Sequence, residues 1–136
     1  MNPGEIRFLS RDEIEEIHAY QTAGFGGLGG IRDSGLLDSA VAAPQAGFGE
    51  KYLYADVFEM AAAYAVGIVG NHPFVDGNKR TGAMCAAIFL ELNGFDFCAS
   101  PEDFTKKILS VARGEIKAAE LAEFFCRESR PKIENS

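Results

Sequence analysis

Two stretches of almost unbroken apolar sequence, DVFEMAAAYAVGIV over 56–69 and TGAMCAAIFLEL over 81–92, constrain this chain more than any other feature. A helix that is apolar on all sides has no face to give to water and must lie inside. The two segments therefore predict two central struts, with the polar connection Gly70 to Arg80 emerging at one end of the core. A chain of 136 residues, 47% of them apolar, has enough core for one compact domain and too little for two. Around the struts, Ser10 and Glu13 form a capping-box pattern. Ile14, Ile17, His18 and Gln21 then fall on one side of a helix predicted over 11–22, stopping at Gly24. Asp33-Ser34-Gly35 starts a second helix over 34–43, halted near Pro44. Asn93-Gly94 ends the second strut, 95–98 form a short extended piece, and helices over 101–113 and 117–126 close the bundle. The expected fold class is all-α, a compact bundle with two central buried helices joined by a loop. The expected domain spans 1–128, and the tail over 129–136 is expected to fray.

Charge and cysteine usage narrow the function classes. The formal net charge of −7 argues against a nucleic-acid surface, which needs clustered cations to neutralise phosphates. The imbalance is local: residues 1–78 carry 4 basic and 11 acidic side chains, residues 79–136 carry 9 of each. An anion site is therefore expected in the later part. Cys85, Cys98 and Cys126 are widely spaced, contain no CxxC pair and are joined by only two histidines, which supports neither a disulfide framework nor a zinc site. The N-terminus lacks a basic region followed by an apolar core, and no stretch is long enough to span a bilayer. The expected location is the cytoplasm, with no membrane partner.

Chemistry concentrates in the loop between the struts, His72-Pro73-Phe74-Val75-Asp76-Gly77-Asn78-Lys79-Arg80-Thr81. Pro73 fixes a backbone torsion and Phe74 can anchor the loop in the core, so that His72 is held without a ligand. Gly77 removes the side chain where a phosphate would approach the backbone. The second strut begins near Asn78, and its free N–H groups and positive dipole end favour an anion, with Lys79 and Arg80 adding full charges. Asp76 is then the hard-oxygen ligand for a magnesium ion carried by nucleotide phosphates. His72 is left as general base toward a hydroxyl.

The string HPFVDGNKRTG resembles the signature of the Doc, or death-on-curing, branch of the Fic superfamily, HxFx(D/N)(A/G)NKRTA. It departs only at the last position, where Gly82 replaces alanine. Gly30-Ile31-Arg32-Asp33, Gly35-Leu36-Leu37, Ala43-Pro44-Gln45 and Leu92-Asn93-Gly94 also resemble blocks of that family. The resemblance implies a Fic-like helical fold in which His72 activates a target hydroxyl, Asp76 holds magnesium, and Asn78, Lys79 and Arg80 bind phosphates. Fic enzymes that transfer AMP have a glycine where Lys79 stands, leaving room for part of the triphosphate. A lysine should obstruct that position, and Doc enzymes resemble kinases that bind the nucleotide in the opposite sense. The implied activity is a toxin-type protein kinase using ATP with Mg2+ to phosphorylate a threonine of elongation factor Tu, which halts translation. AMP transfer and non-catalytic binding are the alternatives. Self-restrained Fic proteins carry an inhibitory (S/T)xxxE(G/N) helix, a string that does not occur in this sequence. Restraint by a Phd-type antitoxin, folding a disordered end onto the toxin, is the corresponding expectation.

Other features have simpler readings. Gly24 to Gly29 matches GxGxxG but follows a helix rather than a strand, so a flexible loop beside the site entrance is expected instead of a pyrophosphate cradle. The Gly77 to Gly82 segment lacks the Lys-Ser or Lys-Thr of a Walker motif. His18 is expected to be a packed, satisfied side chain and Cys85 a small core residue. For Arg32 and Asp33, a mutual ion pair that orders the loop and a substrate contact fit equally well.

Overall fold

The computed structural model describes residues 5–133. α1 (Arg11–Phe25) begins at the capping box, where the Ser10 hydroxyl accepts the Glu13 N–H and the Glu13 carboxylate accepts the Ser10 N–H. It runs through Gly24, which is free of a positive φ, and ends at Gly26 with φ 80°. The stop is thus a left-handed glycine slightly later than the one expected. α2 (Ser34–Ala42) is capped by Asp33, whose carboxylate accepts the Leu36 N–H at 2.9 Å. Pro44 then sits in a short 3-10 turn (Ala43–Gln45), where its missing N–H costs nothing.

The two struts appear as α3 (Val57–Asn71) and α4 (Asn78–Leu92). Met60 to Ala65, Ile68 and Val69 of α3 are all buried, and their small side chains let α4 and α6 (Ala118–Arg127) pack closely against it. Tyr64 sits at the middle of this core, its hydroxyl accepting the Leu9 N–H at 2.9 Å; burial pushes its phenol up to about 12. Cys85 is fully buried, and desolvation pushes its thiol up, as a small core residue requires. α5 (Pro101–Ala112), capped by Ser100, lies along α3 and α4.

The all-α class holds, with two small antiparallel additions. β1 (Gly47–Phe48) pairs with β2 (Lys51–Tyr52) in an exposed hairpin. β3 (Phe95–Phe97) pairs with β4 (Ser129–Pro131), with Phe97 opposite Ser129 and Phe95 opposite Pro131. The start of the tail expected to fray is therefore paired, because β3 otherwise presents an open row of backbone donors and acceptors. The Lys132 N–H extends the pairing to the Gly94 carbonyl, and its ammonium meets Glu91 at 2.8 Å. The structured body reaches past 128, and the ends of the expected domain and tail, 1–4 and 134–136, lie outside the described residues. Among the described residues no helix is long and apolar enough to cross a membrane.

Candidate active site

His72 is the C-cap of α3 and adopts φ 51° and ψ 59°. It is the one non-glycine residue with positive φ among those described. An L-residue in this region loses about 1–2 kcal/mol to the clash of its Cβ with the backbone, so neighbours must hold it there. Arg32 does so from the segment before α2: its Nε donates to the His72 carbonyl at 2.6 Å and Nη2 to the Asn71 carbonyl at 2.7 Å. The Arg32 and Asp33 N–H groups both donate to the Pro73 carbonyl. The two side chains serve different helices instead of pairing with each other. Asp33 caps α2, Arg32 caps α3, and no ion pair joins them among the described residues.

The rest of the loop is anchored from inside. Phe74 is 1% exposed, and its ring stacks on His18 at 3.8 Å with an interplanar angle of 6°. The His18 Nε2–H donates to the Asp76 carbonyl at 2.8 Å; a carbonyl only accepts, so the proton belongs to Nε2. The packed, satisfied histidine of the sequence reading is thus also the floor of the loop. Asn78 closes it: its Oδ1 accepts the Phe74 N–H at 3.0 Å and its Nδ2 donates to the Phe74 carbonyl at 2.9 Å. With the side chain buried and engaged, what Asn78 presents toward an anion is its backbone N–H.

Gly77, at φ 77°, precedes α4 without a side-chain cap. The N–H groups of Asn78, Lys79 and Arg80 have no partner among the described residues, which leaves the positive end of α4 open. Lys79 and Arg80 are exposed and form no ion pair among the described residues. The Arg80 guanidinium rests 4.8 Å above the Phe25 ring. The exposed Asp76 carboxylate accepts the Gly77 N–H at 2.9 Å and the Leu28 N–H at 3.3 Å, keeping lone pairs on both oxygens for a further partner. No cluster of three or more acidic, His or Cys side chains suited to a metal occurs among the described residues. One carboxylate fits a magnesium ion that arrives with phosphates, not one held by protein alone.

The glycine run lies beside the entrance, as expected, but in a defined place. Ile31 bridges Phe74, the Val75 N–H reaches the Gly30 carbonyl at 3.0 Å, and Gly27 abuts Asp76 so closely that a Cβ there would lie 2.9 Å from Oδ2. A cavity of about 620 Å³ opens onto His72, Asp76, Gly77, Asn78, Lys79 and Arg80. The structure thus brings all the polar site residues of the sequence reading to one cavity, with Phe74 as the anchor beneath. Its far wall, formed by Phe104, Thr105, Ile108 and Leu109 of α5, was missed. The apolar stripe of α5 was visible in the sequence, but not the site it would face.

An imidazole, an uncapped helix N-terminus with two cations and a single carboxylate share one cavity, a set of groups that phosphate transfer to or from a hydroxyl can use. The model of the Fic/DOC family matches residues 8–90, from before α1 through most of α4. The chain is 33% identical over 124 residues to "Protein kinase doc" of Escherichia phage P1, an alignment covering 90% of this chain and 95% of that one. It is 41% identical over 95 residues to "Toxin Doc" of Mycolicibacterium smegmatis, covering 68% of each. With its loop, helices and cavity in this arrangement, the chain belongs to the Fic/DOC family, and within it to the Doc toxins.

Proposed function

We propose that this chain is a protein kinase that transfers the γ-phosphate of ATP to a threonine hydroxyl of a translation factor of the elongation factor Tu class, arresting translation. The observation that carries the reading is Lys79, exposed in the first turn of α4 beside the uncapped N–H groups and facing the same cavity as His72 and Asp76. A lysine there occupies the room that an AMP-transferring enzyme keeps for part of the triphosphate. The name of the phage P1 relative supports the same choice.

In this reading His72 accepts the threonine proton as its oxygen forms the new bond to the γ-phosphorus. The bond from that phosphorus to the β–γ bridging oxygen breaks, and ADP leaves. The backbone N–H groups of α4, with Lys79 and Arg80, stabilise the charge spread over the transferring phosphoryl oxygens. Asp76 would hold the magnesium that accompanies ATP and neutralises part of that charge. The α5 wall excludes water from one side.

The test uses a translation extract and ATP labelled on either the γ- or the α-phosphate. Label is expected to reach a protein threonine from the γ position alone; transfer from α alone would establish AMP transfer instead. His72→Ala is expected to lower the rate by about 10²–10⁴-fold, and growth arrest that survives this change would point to a toxin that acts by binding. Restraint comes from a Phd-type antitoxin that folds onto the chain.

A further inference from the structure

We infer that Arg32 is a positioning residue for His72, acting through the backbone of α3 and never touching nucleotide or target. The inference rests on the reading of His72 as the base. α3 has no basic residue in its last turn, so the negative end of its dipole is left to another element. Arg32 supplies the cation from outside the helix, in a two-pronged contact to the Asn71 and His72 carbonyls at 2.7 and 2.6 Å. Charge-assisted bonds of this length are strong and directional. They fall on the residue that carries the left-handed backbone and so fix where its Cβ points. The preceding contact is fixed too, because the His72 N–H reaches the Ile68 carbonyl at 3.2 Å. Arg32 is absent from the cavity lining, and two of its donors are already engaged, which separates it from the phosphate-facing Lys79 and Arg80.

Lysine cannot reproduce the fork, since an ammonium is a point charge without paired planar donors. Arg32→Ala is expected to lower kcat on the order of 10²-fold, the scale of a base displaced by about 1 Å, with KM for ATP within about twofold. Arg32→Lys is expected to fall between. A second readout needs no activity. The chain has two histidines, so histidine labelling gives two ring signals in a heteronuclear spectrum, assigned with His72→Gln. In Arg32→Ala and Arg32→Lys the His72 signal is expected to move toward its unstructured position while that of His18 stays. If Arg32→Ala is too unstable to give a folded sample, Arg32→Lys decides alone. An unchanged His72 signal in a folded variant overturns the inference, as does a raised KM for ATP with kcat intact. A wild-type chain without transferase activity would sink the kinase reading, but the shifted His72 signal would still support the positioning role.

Discussion

Asn78 illustrates how a residue expected at the phosphates can do its main work elsewhere. Its amide makes both hydrogen bonds to the Phe74 backbone in a buried position, and removal strands a donor and an acceptor that water cannot reach. Each such group costs about 1–3 kcal/mol. Asn78→Ala is therefore expected to lower stability by about 2–4 kcal/mol in urea unfolding and to depress activity as well, because Phe74 and the turn to Gly77 loosen together. A variant that unfolds like wild type would show that the loop is held by Phe74 and Pro73 without this rung. The sequence placed Asn78 in the site and could not divide its two ends, since the partner of a side-chain amide is set by the path of the loop.

Gly82 belongs to the scale of elements. It stands where the family signature has alanine, and alanine is ordinarily the better helix former by about 1 kcal/mol. In this chain a Cβ at that position would lie 2.6 Å from Val69 Cγ2 and 3.3 Å from the Ala65 carbonyl oxygen. Valine is stiff about χ1, so α3 and α4 would have to move apart. Gly82→Ala is thus expected to destabilise by about 1–3 kcal/mol, and pairing it with Val69→Ala should recover part of that loss in a double-mutant cycle. Strict additivity of the two changes would argue that the helices are free to separate. Element identity was well marked in the sequence: both struts, the Ser10 cap and the break at Asn93 lie where local pattern put them. What pattern could not supply was mutual placement. The α5 wall, the glycine run against Asp76 and β4 against β3 depend on contacts between distant positions, for which periodicity carries no address.

At the scale of the whole molecule, the polar site is fastened to every neighbouring element without being buried in the core. α1 supplies His18 and Phe25, the segment before α2 supplies Arg32, α4 supplies Asn78, and α5 closes the cavity. Although the chain's net charge is −7, Lys79 and Arg80 bring positive charge to the cavity and form no ion pair among the described residues. The rung between Phe74 and Asn78 has one more consequence. A connecting segment ordinarily opens to solvent at almost no free-energy cost, but here the Phe74 amide is buried and bonded across the turn between the two struts. The conformational entropy of this backbone is lost once, when the chain folds, and little of it remains to be lost on binding any ligand at the cavity. Deuterium should accordingly enter the Phe74 amide no faster than it enters the middle of α3, on the timescale of global unfolding.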